Sequence, residues 1–298
     1  GGSATVHFPI WHQEIEDIIV LKNNKGTDDN RVRKLDYSIQ VSKLFYERFI
    51  KDEDITLFSP HETPGLYEAF GMPEFDEMYE KYERKTSISK QKVRAQTLFM
   101  DLLKERAETG RIYIMNIDHC NTHSSFKDKV YMSNLCQEIT LPTTPIKHID
   151  DPDGEIALCI LSAINLGLIK EKDELKDLCD LSVRALEEII DYQEYPVEAA
   201  KKSTLARRSL GIGYIGLAHY LAKNKVKYDD KKAWKLVDEI TEAFQYYLLK
   251  ASNTLAKERG ACEYFNKTKY SDGILPIDSY KKDVDDIVKR KLSYDWTS

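Results

Sequence analysis

The chain has 298 residues, 42% of them hydrophobic, which is enough for one large domain or two smaller ones. Its formal net charge is −6 with interspersed charges, so a general attraction to nucleic acid is not expected. No apolar run approaches the roughly 18 to 20 residues of a membrane span and no signal peptide is visible, so we expect neither membrane insertion nor secretion. The five cysteines form no CxxC pair, and their odd number indicates reduced thiols in the cytoplasm.

The apolar spacing predicts helices alternating with short strands. Apolar residues recur at helical intervals over 38–51, 87–108, 173–192 and 233–259, and Gly110 and Gly260 end the second and fourth of these segments. The β-like runs are 111–117, 135–141 and 155–161. This alternation predicts an α/β architecture that is compatible with a barrel, and no domain boundary is evident within residues 1–298.

Polar chemistry is concentrated between residues 116 and 159, where the helix signal is weak. This stretch holds three of the five cysteines, together with His119 and His123. Functional residues are often found on loops and strand ends held by a rigid scaffold, so we expect the site in this segment.

Asn134, Cys136 and Glu138 place an amide, a thiol and a carboxylate at alternating positions. In an extended backbone these side chains point to the same side, so one short strand or loop could direct all three into a cavity. An amide can orient a hydroxyl, a carboxylate can accept its proton, and a thiol can perform redox or radical chemistry. The alternative is a packed cysteine followed by a glutamate that faces solvent.

Cys159 lies in the next strand-like run, 156–161, after a loop rich in proline and aspartate. Adjacent strands could bring it near Cys136. A cysteine packed in the core fits the same pattern, so the spacing alone leaves both roles open for Cys159.

Two further motifs predict sites less well. His119 and His123 have the i, i+4 spacing of a helical metal site, but the stretch follows a strand, reads as a turn and lacks a third ligand, so no metal is expected. Residues 211–216 match the dinucleotide fingerprint GxGxxG, but the basic segment 201–208 before them is not a buried strand. Close backbone packing explains these glycines, and an NAD-dependent oxidoreductase would have to bind a nicotinamide cofactor.

The remaining cysteines are expected to be structural. Cys179 falls within an amphipathic helix, and Cys262 follows a helix end.

Residues 133–139, SNLCQEI, resemble the finger-loop motif of class I ribonucleotide reductase large subunits. Other segments resemble the same family in its order: 118–124 (DHCNTHS), 154–159 (GEIALC), 191–193 (DYQ), 211–213 (GIG), 246–252 (YYLLKAS) and 273–278 (GILPID). The similarity runs from residue 1 nearly to residue 296 and is greatest to the bacterial and bacteriophage branch. It implies part of a ten-stranded α/β barrel made of two half-barrels, with a central finger loop and a helix-rich exterior.

The resemblance also implies roles for the polar residues. Cys136 matches the thiyl-radical cysteine that removes the 3′-hydrogen of a ribonucleoside diphosphate, and Glu138 matches the general base for the 3′-hydroxyl. Asn134 matches the amide that orients the ribose hydroxyls. Cys159 matches one cysteine of the redox pair that reduces the substrate.

The implied substrate contacts are Asn134, Leu135, Cys136, Glu138, Leu161 and Gly1. No cofactor is expected on this chain, because the family's small subunit supplies a dinuclear metal and tyrosyl radical. The other implied partners are thioredoxin or glutaredoxin, a second large subunit, and dNTP or ATP effectors of the full-length enzyme.

No other cysteine in the sequence matches the family's second redox cysteine. We therefore expect a central fragment that covers less than half of the family's chain and is inactive alone. An alternative is an inactive scaffold module of a split enzyme, which needs a companion chain that carries the missing parts.

Overall fold

The computed structural model describes residues 2–171, 173–283 and 293–296. Its contacts divide the chain into two compact units, Gly1–Pro142 and Thr143–Ser298, and the fold is mixed α/β as predicted. Whether residues 1–298 form one domain stays a prediction, because a unit defined by contacts need not fold independently.

The described residues contain seven strands. They are β1 (Thr5–Pro9), β2 (Asp36–Val41), β3 (Asp54–Phe58), β4 (Lys90–Arg94), β5 (Ile112–Asn116), β6 (Ile160–Asn165) and β7 (Leu210–Ile215). The helices in the same residues are α1 (Ile15–Ile18), α2 (Lys43–Ile50), α3 (Leu66–Ala69), α4 (Phe75–Arg84), α5 (Ala95–Thr109), α6 (Ile117–Thr122), α7 (Glu174–Tyr192), α8 (Glu198–Arg207), α9 (Leu217–Lys223), α10 (Lys231–Arg259) and α11 (Pro276–Asp283). No helix in this part of the chain is both long and apolar enough to cross a membrane.

The first unit is built on a three-stranded parallel sheet in the order β1-β2-β5. The central strand β2 has two unlike faces, because successive side chains alternate between them. Tyr37, Ile39 and Val41 are buried on one face, whereas Ser38 and Gln40 are buried on the other. A separate antiparallel pair, β3-β4, completes the strands of this unit.

The core of the first unit lies between its sheet and helices. Its largest fully buried side chains are aromatic: Trp11, Tyr79, Phe45, Phe58, Phe70 and Phe75. Their burial contributes the main favourable term to the stability of the unit, since apolar area removed from water is worth about 25 cal/mol per Å².

Two predicted helices in the first unit were too long. Residues 38–41 belong to β2, and α2 begins only at Lys43 because the Ser42 hydroxyl accepts a hydrogen bond from Phe45 N at 3.4 Å. Residues 90–94 form β4, and α5 follows from Ala95. In both places pairing with a distant strand overrides the local helical spacing.

The second unit contains a parallel pair, β6-β7. Helix α7 packs against α10 and β6, and the buried side chains between them include Ile164, Leu175 and Cys179. The predicted helices 173–192 and 233–259 and the strand 111–117 are confirmed as α7, α10 and β5. The predicted strand 155–161 was mostly wrong, since β6 begins at Ile160.

Both predicted helix stops are confirmed. Gly110 follows α5 with φ of 65°, and Gly260 follows α10 with φ of 92°. Glycine adopts these positive φ values without the steric cost that other residues incur.

Candidate functional site

Asn134 to Gln137 form a tight turn rather than part of a strand. The carbonyl oxygen of Asn134 accepts a hydrogen bond from Gln137 N at 3.2 Å, and Gln137 has a φ of 64°. The prediction of a strand over 135–141 was therefore wrong, and so was the extended backbone proposed for residues 134 to 138. Polar side chains that bond to their own backbone favour turns over strands, and Asn134 does so here.

The Asn134 side chain closes the loop behind this turn. Its Oδ1 accepts hydrogen bonds from Ile139 N at 3.1 Å and from the Ser133 hydroxyl at 3.2 Å. Ser133 Oγ also lies within hydrogen-bond distance of the Ile139 carbonyl. Because Oδ1 already accepts these bonds, a bound molecule would interact with the Asn134 amide through its NH2 group, which is the donor.

The turn exposes the two reactive groups. Leu135 and Cys136 occupy its two central positions, and both are exposed, as is Glu138 just beyond it. Asn134 is half-buried beneath them. A thiol and a carboxylate are thus held on the surface of the first unit by a loop that is hydrogen-bonded internally.

Three side chains of the parallel sheet bond to this loop from below. Thr5 Oγ1 donates to the Leu135 carbonyl at 2.6 Å, Ser38 Oγ donates to Gln137 Oε1 at 3.1 Å, and Gln40 Nε2 donates to the Tyr131 carbonyl at 2.5 Å. Sequence reasoning missed all three residues. The signal was present in β2, where Ser38 and Gln40 alternate with apolar residues at the spacing of a strand.

His7 lies on the same sheet face as Ser38, its neighbour in the parallel register. Burial lowers the pKa of His7, and an interaction with the Ser133 backbone opposes this shift. Neither ring nitrogen has a hydrogen-bond partner of good geometry within the described residues. Burial therefore disfavours the charged form of His7 below the loop.

Lys129 anchors the start of the loop. Its Nζ donates to the carbonyl oxygens of Tyr67 at 2.9 Å and Glu68 at 2.6 Å, and it lies 4.3 Å from the centre of the Tyr131 ring. The Tyr67 and Tyr131 rings stack with their centres 6.1 Å apart. Burial lowers the pKa of Lys129 to about 8. These contacts hold the backbone on the N-terminal side of the turn.

Two clefts open on the first unit. One, of about 430 Å³, is lined by side chains that include His7, His12 and Tyr67. Of these, His7 interacts with the Ser133 backbone and Tyr67 stacks on Tyr131. The other, of about 570 Å³, is lined mainly by charged side chains, including Arg48 and Glu83, and contains none of the predicted site residues. This charged cleft is therefore not connected with the chemistry of Cys136.

His119 lies in a helix and His123 is the residue that follows it, so the prediction of a turn was wrong for His119. Helix α6 spans Ile117–Thr122, and the rings of His119 and His123 meet edge to face with centres 5.5 Å apart. No group of three or more His, Cys, Asp or Glu side chains in the described residues could hold a metal ion.

The second unit carries the other predicted site residues. Cys159 is half-buried immediately before β6, and Leu161 is 54% exposed within that strand. Leu161 pairs in register with Gly211 of β7. Gly1 lies outside the described residues.

Glu155, four residues before Cys159, forms a buried ion pair with Arg207. Arg207 Nε donates to Glu155 Oε2 at 2.8 Å, and the guanidinium also lies 5.1 Å from the centre of the Tyr264 ring. The adjoining Ile156 N donates to the Ala199 carbonyl at 3.1 Å. Sequence reasoning missed this pair. Its only local sign was Glu155, a single acidic residue before the apolar run 156–161.

The glycine motif occupies a strand and not a phosphate-binding turn. Gly211 and Gly213 lie inside β7, and Gly216 ends the strand with φ of 75° before α9. A Cβ at Gly216 would lie 2.4 Å from Asn165 Oδ1. Close backbone packing therefore explains this glycine, as the sequence predicted.

Comparison with known proteins identifies related chains. The model of the ribonucleotide reductase barrel domain matches residues 1–298. The ribonucleoside-diphosphate reductase alpha subunit of Haemophilus influenzae is 59% identical over 303 residues, covering 100% of this chain and 40% of the relative. The ribonucleoside-diphosphate reductase 1 subunit alpha of Escherichia coli K12 is 56% identical over 99% of this chain. The ribonucleoside-diphosphate reductase subunit alpha of bacteriophage T4 is 44% identical over 100% of this chain. This chain spans about 40% of the length of these relatives.

Proposed function

Because this chain belongs to the ribonucleotide reductase barrel-domain family, we propose that it is the core portion of a ribonucleoside-diphosphate reductase catalytic subunit. The reaction would convert ribonucleoside diphosphates to 2′-deoxyribonucleoside diphosphates for DNA synthesis. The observation that carries the proposal is the exposed Cys136 thiol on a turn that begins at Asn134 and leads to Glu138.

Cys136 is proposed to act as a thiyl radical. Its sulfur forms an S–H bond as the 3′ C–H bond of the ribose breaks, which leaves a carbon radical on the substrate. Hydrogen transfer of this kind is reversible because S–H and activated C–H bonds are close in strength. The same S–H group returns the hydrogen at the end of the cycle.

Glu138 and Asn134 are proposed to act on the ribose hydroxyls. The Glu138 carboxylate accepts the proton of the 3′-hydroxyl as the 2′-hydroxyl leaves, and a positioned base of this kind is worth about 10² to 10⁴ in rate. Asn134 would donate to a ribose hydroxyl from its NH2 group, while its Oδ1 accepts a hydrogen bond within the loop. Leu135, at the first central position of the turn, would contact the substrate from the same loop.

Cys159 is proposed to give its proton to the departing 2′-hydroxyl, which leaves as water. Reduction of the substrate takes two electrons, which Cys159 and a second thiol supply together as they form a disulfide. The second thiol matches no cysteine of this sequence, so the reaction requires a group from elsewhere in the complete enzyme. Leu161 and Gly1 are assigned to the substrate surface by the same resemblance.

We further propose that the chain contributes to a ten-stranded α/β barrel of two half-barrels. The parallel pairings β1-β2-β5 and β6-β7 support this proposal. The turn at Cys136 would be the tip of the central finger loop, and the helices would form the exterior. A loop inside a barrel shields a radical from water and side reactions.

The proposed partners follow from the reaction. A small subunit with a dinuclear metal and tyrosyl radical would generate the radical, and no cofactor is assigned to this chain. Thioredoxin or glutaredoxin would reduce the disulfide, while a second large subunit and dNTP or ATP effectors belong to the full-length enzyme. We place the reaction in the cytoplasm, without nucleic acid or membrane as a partner.

A cysteine substitution in the complete reductase tests the proposal. Cys136→Ser should abolish deoxynucleotide formation, because an O–H bond is too strong for the serine to replace the thiyl radical. The control Cys262→Ser changes a half-buried thiol outside the proposed site and should retain activity. Full activity of Cys136→Ser would instead favour an inactive scaffold role that depends on a companion chain.

The isolated 298-residue chain is expected to show no turnover even with small subunit and reductant.

A further inference from the structure

The loop that carries Cys136 is held by three side chains that have no part in the proposed reaction steps. Thr5, Ser38 and Gln40, here called the polar platform, project from β1 and β2 of the parallel sheet. Ser38 and Gln40 are two positions apart in β2, so they point to the same face. They are 0% and 1% exposed.

The contacts of the polar platform bracket the reactive thiol. Gln40 bonds to the backbone five residues before Cys136, at Tyr131, and Thr5 bonds to the carbonyl of Leu135 immediately before it. Ser38 bonds to the Gln137 side chain immediately after it. Gln137 adopts a φ of 64°, which is unfavourable for a residue with a side chain, and the bond from Ser38 fastens its side chain to the sheet.

The buried amide of Gln40 does not have the contacts expected of a side chain that serves stability alone. Its Nε2 is shared between the Tyr131 carbonyl at 2.5 Å and Met115 Sδ at 3.7 Å. Its Oε1 is buried without a hydrogen-bond partner among the described residues. A buried amide that is satisfied at only one end costs free energy, and an apolar side chain of the same shape would avoid this cost.

We propose that Gln40 is a positioning residue for Cys136, and that Ser38 and Thr5 assist it; this inference rests on the proposed function of the turn. Hydrogen abstraction requires the thiyl sulfur and the C–H bond to meet in a near-attack geometry. Gln40 fixes where the loop leaves the sheet, and the other two contacts fix the turn itself. The polar platform thus sets the position of a sulfur atom that it does not touch.

The test is Gln40→Met in the complete reductase with its small subunit and reductant. Methionine keeps the length of the side chain and removes the donor to Tyr131. We expect kcat to fall about 10-fold or more, because misplacement by about 1 Å can cost up to 10²-fold. KM should stay within about twofold, since the groups that contact substrate are unchanged. The melting temperature should change little, because the unsatisfied Gln40 Oε1 is removed while the Tyr131 carbonyl loses its donor.

A deuterium isotope effect distinguishes positioning from general damage. With substrate deuterated at C3′, Gln40→Met should show a larger isotope effect on kcat, because a misplaced sulfur makes hydrogen abstraction more rate-limiting. Ser38→Ala should change the isotope effect in the same direction. The control Gln96→Met removes an exposed glutamine that also donates to a backbone carbonyl, that of Phe49 at 3.1 Å, and should leave all values unchanged.

Two results would overturn the inference: native kcat in Gln40→Met, or a lower kcat with an unchanged isotope effect. Either result is separable from failure of the proposed function, which is decided by Cys136→Ser. If Cys136→Ser is inactive while Gln40→Met is fully active, the reductase assignment stands and the positioning role falls.

Discussion

Glu155 and Arg207 form an ion pair of 2.8 Å in which the two side chains are only 7% and 4% exposed. The pair joins the chain just before Cys159 to the end of α8. Removing Glu155 would take a compensating charge away from the buried Arg207 guanidinium in a site of low polarity.

Glu155→Gln is therefore expected to lower the free energy of unfolding of the protein by about 3–5 kcal/mol. Denaturant unfolding followed by circular dichroism measures this loss. The matched control is Glu108→Gln, which breaks the exposed pair between Lys25 and Glu108 and should cost less than about 1 kcal/mol. Equal losses in the two variants would show that burial does not determine the contribution of the pair.

Glu83 should make the stability of the protein depend on pH. Burial raises the pKa of Glu83, but hydrogen bonds from Arg48 at 2.6 and 2.7 Å and from Thr56 at 2.6 Å outweigh burial, so the pKa lies below its usual 4.5. A carboxyl whose pKa is lower in the folded state stabilises the fold above its unfolded pKa. That contribution is lost as the pH falls through the lower, folded pKa.

Glu83→Gln should accordingly be less stable than the native chain at pH 7, and the difference should shrink as the pH falls below about 4.5. Thermal unfolding at a series of pH values measures this difference. The control Glu80→Gln alters an exposed pair with Arg84 and should give a small difference at every pH. A difference for Glu83→Gln that grows in acid would contradict the assigned sign.

The cysteines should differ in reactivity in the native protein. Cys136 is exposed, whereas Cys179 is buried in α7, and burial raises the pKa of Cys179 to about 12. Because the thiolate is the reacting form, iodoacetamide at pH 8 should alkylate Cys136 and leave Cys179 unmodified. Peptide mass spectrometry after timed quenching measures both rates. Unfolding in denaturant is the control and should make the rates similar, whereas similar rates in the native protein would contradict the buried position of Cys179.

Gly71 has both a positive φ and a close neighbour. Its φ is 84°, and a Cβ there would lie 2.6 Å from Ile117 Cγ1. Gly71→Ala should cost about 1–2 kcal/mol for the backbone conformation and about 1–3 kcal/mol more for overpacking, as measured by urea unfolding. Gly110→Ala is the matched control, because its φ of 65° is also positive but nothing lies within 4 Å of a Cβ. Equal losses would show that the contact with Ile117 is relieved at little cost.

Local patterns predicted the long helices well. The amphipathic repeats of α7 and α10 and the glycine after α10 are confirmed, because a helix that buries one face carries that face in its own sequence. The strand β2 was not predicted, since its residues pair with β1 and β5, which are distant in the chain. The alternation of Ser38 and Gln40 with apolar residues was a local signal, but the strands that pair with β2 cannot be identified from a short window of sequence.

The sequence by itself determined which chemical groups are available and to which family the chain belongs. The motif restricts the possible chemistry through its residue types, which are those of Asn134, Cys136 and Glu138. Residue types can be read from the sequence without coordinates. Only the tertiary structure decided that these residues lie on and beside a turn, and that the turn is held from the sheet. Thr5 bonds to Leu135 across 130 positions of the chain. Such a bond forms only when folding brings distant backbone and side chains together, so no local pattern could predict it.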